Sequence, residues 1–406
     1  MANGTACYPV SVMPDRRTRS VQPLEATIRR AGPVRCRAVA ARLRRSRLAP
    51  LLLLALAPAA PLSGQETGTV PEQKRSGILF IPVLYYTPET KTAFGVAAQY
   101  YYRERGSEMS GRPSTIVPAV IYTQKNQIMA DISGQLYWKR ETYRLDGELG
   151  YSKYPDKFYG IGNDTPEDAE EDLTPRYINL RVNVQRRVYS ELNLGLGYEF
   201  QHSKLLEVEE GGLLDAGSVS GSDGGTVSGA GIFASWDTRD NIFYPSSGSY
   251  HQLSASVFGS ALGSDFSFNR YQLELRQYLG MLSHVLALQG QVTIATGTPP
   301  LQQLALFGGG DLMRGYYEGR YRERSMIAFQ AEYRVVPIWW RLGLAAFAGL
   351  GDVAHDVGDF RLSDFNYSLG GGIRYLLSRE EGITVRLDFG LGEGSSGVYI
   401  TLGEAF

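Results

Sequence analysis

Ile383-Thr384-Val385-Arg386-Leu387-Asp388-Phe389-Gly390-Leu391 alternates without interruption. Ile383, Val385, Leu387, Phe389 and Leu391 fall on one face, and Thr384, Arg386, Asp388 and Gly390 on the other. A period of two marks a β-strand whose sides meet different surroundings. A soluble sandwich shows the same period, with the apolar face turned to a core. Here the polar face carries two charges in mid-strand, which suits a barrel with a polar lumen and an apolar outer face. Residues 397–406 extend the pattern. Val398, Ile400, Leu402 and Phe406 are expected on one face, and Tyr399, Thr401 and Gly403 on the other. Glu404 then interrupts the apolar face near its end, at an interfacial depth where a charge costs little. Arg374 within 365–377 adds another charge to the polar side.

Outward from this strand, the chain from residue 78 is a succession of strand patterns broken by turns. Strands are expected near 78–87, 92–103, 114–123, 127–139, 142–152, 176–188, 191–206, 225–237, 249–260, 266–279, 284–296, 325–336, 341–351, 365–377, 382–391 and 397–406. That makes sixteen, and about 9–11 residues per strand suffice to cross a membrane. An even count puts both ends of the barrel on the periplasmic side. The three longest connections, near 153–175, 207–224 and 297–324, then all fall outside. The turns at 139–141, 189–191, 280–282 and 378–382 fall on the periplasmic side and are short, with 103–113 the exception. Tyr100-Tyr101-Tyr102, Tyr137-Trp138 and Trp339-Trp340 sit near strand ends, as interfacial girdles do. The sequence therefore predicts an all-β fold, a sixteen-stranded antiparallel transmembrane β-barrel over residues 78–406.

The first 65 residues read differently. Arg42-Leu43-Arg44-Arg45-Ser46-Arg47 is a basic segment, and residues 48–62 form an apolar run of 15 with small residues after it at Ser63 and Gly64. This is the pattern of a cleaved export signal, and the run is short for a membrane helix. The stretch ahead of it is long for a signal, so a native start near Val34 or Val39 is expected. Residues 66–77 read as a short polar periplasmic linker. Residues 1–50 hold 11 Arg and two acids, while the rest of the chain holds 30 basic and 40 acidic side chains. An acidic remainder argues against nucleic acid as a partner. Both cysteines, Cys7 and Cys36, lie in the leader. After its removal no disulfide, zinc–thiolate site or thiol nucleophile is expected.

Gly308-Gly309-Gly310-Asp311-Leu312-Met313-Arg314-Gly315-Tyr316-Tyr317 lies inside the longest connection. Its arginine is flanked by apolar and aromatic residues, which predicts an extracellular loop folded back into the lumen with Arg314 buried. The segment lacks the Gly-Lys-Ser/Thr of a phosphate loop. Gly392-Glu393-Gly394-Ser395-Ser396-Gly397 matches a dinucleotide fingerprint in spacing only, since a strand rather than a helix comes after it, and it reads as a hairpin turn. His202, His251, His284 and His355 have no metal-ligand spacing, and no local motif selects a catalytic residue. No cofactor, metal or catalytic site is expected, and an outer-membrane hydrolase is the least favoured class.

Trp236-Asp237-Thr238-Arg239-Asp240, with Pro245 and Gly248 after it, closes one strand and turns into the next. By itself it reads as a Pro/Gly turn with charged flanks. Together with motifs nearer the C-terminus, it resembles the strand-turn motif of the bacterial surface antigen superfamily, the BamA/TamA-like outer-membrane barrels. Met313-Arg314-Gly315-Tyr316 is similar to the family's loop-tip motif, and Phe329-Gln330-Ala331-Glu332-Tyr333-Arg334 to its next strand. Phe347-Ala348-Gly349-Leu350-Gly351-Asp352-Val353 resembles a further strand motif. Val398, Ile400, Leu402 and Phe406 look like the β-signal by which such barrels are recognised for insertion.

The resemblance implies that Arg314, with Gly315 and Tyr316, meets two lumenal acids. Glu332 shares a face with Met326, Ala328, Gln330 and Arg334 and supplies one. Gly349 stands at the position of the other, and Asp352 is the expected substitute. The family's periplasmic POTRA modules find no room between residues 65 and 78, so a barrel-only member is implied. Membrane insertion or translocation of proteins is the function this suggests. Outer-membrane lipid, client chains and a separate periplasmic module are its partners, and the junction of 78–87 with 397–406 its working element. The alternative is a passive pore or surface antigen working with a separate periplasmic partner.

Overall fold

The computed structural model describes residues 75–103, 112–166, 168–242, 244–378 and 383–406. The expected signal, residues 66–74 of the expected linker, and most of the 103–113 and 378–382 connections lie outside the described residues.

Among the described residues nineteen strands succeed one another in chain order: β1 (Ser76–Thr87), β2 (Lys91–Tyr102), β3 (Ser114–Thr123), β4 (Ile128–Trp138), β5 (Tyr143–Lys153), β6 (Asp156–Phe158), β7 (Glu171–Tyr189), β8 (Leu192–Val208), β9 (Gly225–Asp237), β10 (Gly248–Phe258), β11 (Phe268–Met281), β12 (His284–Gly297), β13 (Ala305–Phe307), β14 (Tyr321–Glu323), β15 (Ser325–Trp339), β16 (Leu342–Ala354), β17 (Asn366–Ser378), β18 (Ile383–Gly392) and β19 (Ser395–Leu402). Sixteen of them close into one antiparallel barrel, each beside its sequence neighbour, with β1 meeting β19. The short β6 pairs with β7 beyond the end of β5. β13 and β14 form a separate ribbon inside the β12–β15 connection.

Alternation decides which side chains face inward. On β15, Phe329 and Tyr333 are exposed while Met326, Ala328, Gln330, Glu332 and Arg334 are buried. On β18, Leu387, Phe389 and Leu391 are exposed while Thr384, Arg386 and Asp388 are buried. Around the wall, Leu196, Ile232 and Leu253 are exposed by 57–67%. A protein in water would hold so many large apolar side chains in a core. Against lipid, each gains roughly 1.5–3 kcal/mol relative to water contact. The apolar face is therefore the membrane face.

The connections divide by end. At one end β7–β8, β11–β12 and β15–β16 are joined by two residues each, with Ser190, Leu282 and Trp340 at φ of 44° to 59°. Such left-handed turns match the twist of the strands they join. The connections of 154–170, 209–224 and 298–324 lie at the other end.

The sixteen expected strands all form. Two boundaries moved most. β7 begins five residues earlier than expected, because the strand passes through Pro175 by a register shift between Thr174 and Pro175. β19 stops at Leu402, four residues early, where Gly403 takes φ +79°.

Candidate functional site

The β12–β15 connection lies against the inner faces of β15 to β19. Phe307, Met313 and Tyr316 pack with Met326 and Ala328 of β15 and Val353 of β16. The close approach depends on glycine. Gly315 has φ +116°, and a Cβ there would sit 2.6 Å from the Leu391 carbonyl carbon. A Cβ on Gly390 would meet the Arg314 carbonyl carbon at the same distance. Polar contacts finish the fit. The Gly315 amide donates to the Tyr399 hydroxyl at 3.0 Å, and the Ser395 hydroxyl donates to the Gly315 carbonyl at 2.9 Å. The Tyr316 hydroxyl donates to the Tyr367 carbonyl at 2.9 Å.

These contacts place the Arg314 guanidinium among buried carboxylates. Its Nη1 donates to Asp388 at 2.5 Å and its Nη2 to Glu332, while its face lies 3.5 Å from the centre of the Phe347 ring. Neither acid serves Arg314 alone. Glu332 also accepts from Arg334 at 2.7 Å and from Arg374 at 3.1 Å. Asp388 also accepts from Arg374 and, at 3.3 Å, from Arg386. Glu404 accepts from Arg374 at 2.7 Å and from the Thr384 hydroxyl at 2.9 Å. Arg386 reaches back to the loop, to the Gly310 carbonyl at 3.0 Å and to the Asp311 carboxylate. Four arginines thus share four carboxylates, whose side chains are all buried except that of Asp311. A lone buried guanidinium would lose several kcal/mol of hydration, and shared acids offset that loss.

The loop residues Arg314, Gly315 and Tyr316 and the acid Glu332 come together in the lumen. Asp352 does not join them. Val353 is in the loop core, so alternation sends Asp352 to the other side of β16, where its carboxylate accepts from the Val353 amide. Asp388, two strands away on β18, takes the second place beside Arg314. Gly349 has a different use, since a Cβ there would lie 2.8 Å from the Met313 sulfur.

Phe406 also departs from expectation. Val398, Ile400 and Leu402 face outward, whereas residues 403–406 turn into the lumen. Phe406 and Ala405 pack with Tyr278, Val285 and Ala287, and the Phe406 carbonyl accepts from Arg334 at 2.9 Å. Glu404 therefore serves the arginine cluster and does not interrupt the outer face. Asp237, Arg239, Asp240, Pro245 and Gly248 lie at the β9–β10 turn. Asp237 holds Arg239 through two bonds of 2.9 Å, and Asp240 accepts from the Asn241 and Ser246 amides at 2.9 Å. Among the described residues no group of three His, Cys, Asp or Glu is placed to hold a metal ion.

Among the described residues the seam between β1 and β19 has one register pair, Tyr86 opposite Ile400. Every other neighbouring pair of barrel strands has between eight and sixteen. Extending the register puts Leu84 opposite Leu402, the last residue of β19. Residues 76–83 of β1 lie beyond it, with Ile78, Leu79 and Phe80 all exposed.

The sequence pattern of the Omp85 superfamily domain matches residues 120–406. No curated protein sequence matches the chain. Among solved structures, it is similar to BamA from Haemophilus ducreyi lacking POTRA domains 1-3, with 13% identity and a TM-score of 0.58 over 82% of this chain and 70% of that one. It is similar also to CdiB from Acinetobacter baumannii, at 11% identity and a TM-score of 0.51 over 80% of this chain and 59% of that one. For CdiB from Escherichia coli the identity is 8% and the TM-score 0.52, over 82% and 64%. The chain thus spans less than two thirds of either CdiB chain. At these identities the likeness is one of fold.

Proposed function

We propose that this chain, which belongs to the Omp85 superfamily and is a bacterial outer-membrane β-barrel, inserts or translocates other polypeptides by opening the β1–β19 seam. The observation that carries the proposal is the single register pair there. A strand edge with free N–H and C=O groups is a template for another strand. Residues 76–83 of β1 offer such an edge, next to an outer face that meets lipid. A client strand pairing with β1 would satisfy backbone groups that hydrocarbon cannot. The arginine cluster braces the opposite side of the seam. It ties β15, β17 and β18 to the loop and to residues 403–406, so opening falls on the weaker β1 contact. The orientation that fits puts the long connections outside the cell and the short turns in the periplasm, where a separate client-binding module would act. No bond-making step belongs to this reading.

The test is a lock. Tyr86→Cys with Ile400→Cys, in a chain whose Cys7 and Cys36 are serine, puts two thiols on directly opposed residues, within disulfide reach. The oxidised barrel in proteoliposomes is expected to lose client assembly, and a reductant to restore it. Equal assembly by the oxidised and reduced forms would overturn the seam mechanism.

A second reading, a passive pore or surface antigen working with a separate periplasmic partner, draws on the charged side chains that remain half-exposed elsewhere in the lumen, such as Arg181 and Glu148. Its measurement is conductance in planar bilayers. A large stable pore that is indifferent to Arg314→Ala favours it over a loop-plugged translocator.

A further inference from the structure

The membrane face of β15 to β19 carries an open depression. A groove of about 660 Å³ runs between Tyr333, Leu344, Ile373, Leu387 and Phe389. Its floor is Ala346 of β16, paired directly with Gly371 of β17. These two project a methyl group or nothing where their neighbours project Leu, Ile or Phe. The floor therefore drops to the sheet backbone, and the backbone around Ala345 and Gly372 is reached from outside.

Two observations identify what fills it. First, the groove opens within the belt of exposed apolar side chains, and its lining is almost wholly apolar. Hydrocarbon is what meets that face in a membrane. Second, Tyr333 lines the groove, and further aromatic and basic groups lie beyond it toward the short-turn end. The Tyr333 hydroxyl lies 2.7 Å from His284 Nδ1, and both residues are at the surface. The Trp340 and Tyr375 rings are 6.0 Å apart, and the Arg341 guanidinium lies 5.8 Å from the Trp340 ring. Arg341 stands three residues from Leu344, roughly 10 Å along an extended chain. An apolar slot with aromatic and cationic groups beyond it matches one molecule class in charge and polarity, an acyl chain carrying a phosphate.

We propose that this groove binds one acyl chain of a phospholipid from the leaflet at the short-turn end, with its phosphate at Arg341. Interfacial tryptophan and arginine side chains hold headgroups at that depth. The bound chain lies beside Val398 of β19, so the seam has an ordered lipid as its neighbour.

The full barrel in vesicles of phosphatidylethanolamine and phosphatidylglycerol, doped with phosphatidylglycerol bearing a mid-chain diazirine, provides the test. Photolysis is expected to label 344–348 and 369–373 at least fivefold above the wall around Leu196 and Ile232. Ala346→Phe fills the groove and is expected to reduce that labelling to the level of the other wall. Leu196→Phe, as a control, leaves it unchanged. Arg341→Ala is expected to lower labelling by the phospholipid severalfold while sparing that by a diazirine fatty acid. Labelling spread evenly over the outer face of the wild-type barrel would overturn the proposal without reference to any variant. So would chain-to-chain crosslinks from this face, which would assign the groove to a second copy.

Discussion

On the β15–β18 wall of the lumen, Arg314, Arg334, Arg374 and Arg386 are at most 2% exposed and share their carboxylates in a network. On the β5–β11 wall, Arg144, Arg181 and Arg276 are 25–55% exposed, and their partners are also open to water. Arg144 has Asp146, Arg276 has Glu274, and Arg181 has Glu148 and Glu199 at 3.5 and 3.7 Å. The residue types on the two walls are the same. What differs is the loop tip, Leu312 to Tyr316, which packs on the first wall, while the same connection reaches the second through Gln303, beside Arg270 and Gln201. Where the tip lies, a charge must be held by several partners, because no water remains to replace one that is lost. Where it does not, an ion pair is nearly neutral in energy and tolerates poor geometry.

The contrast can be broken most forcefully at Glu332. Glu332→Ala withdraws one carboxylate from Arg314, Arg334 and Arg374 together, and removing one partner from a buried ion network costs about 3–5 kcal/mol. The urea midpoint of the folded barrel, tracked by its gel mobility, should fall markedly. A midpoint like that of the parent would mean the covered wall is not held by charge. Arg314→Ala is milder, because Arg374 still reaches both acids. The two charge-assisted hydrogen bonds lost are each worth about 1.5–3 kcal/mol, and part of that is recovered because both acids keep Arg374 as a partner. The loss falls on the loop, so protease cleavage within 298–324 on intact cells should increase. An unchanged pattern of fragments counts against a loop anchored by this arginine. Arg181→Ala on the open wall should cost about 0–1 kcal/mol and leave both readouts near parental values. A large effect there would erase the distinction between the walls.

The strands were legible because a lumen and a bilayer impose opposite chemistry on alternate residues, as in 383–391. The loop arginine is legible from its apolar and aromatic flanks and Glu332 from the family resemblance, with strand parity in agreement. Asp388 was visible on the polar face of its strand, but parity does not say which inward residue lies at the height of the loop tip. That depends on strand stagger. The resemblance makes Asp352 the expected substitute beside Arg314, but on β16 an inward Phe347 and Val353 require Asp352 to turn the other way. The expectation for Phe406 continues a period of two through Gly403. A residue free to take positive φ is where such a period can fail.

Glu404 stands two residues past the end of the last strand and inside the guanidinium cluster, and so joins the two. The two are therefore linked in free energy. Drawing residues 403–406 outward to lengthen the seam leaves Arg374 and Arg334 short of an acid. Conversely, whatever neutralises those arginines makes the longer seam easier to form. Such linkage is reciprocal, so a longer last strand loosens the arginine cluster to the same extent that loosening the cluster favours the longer strand.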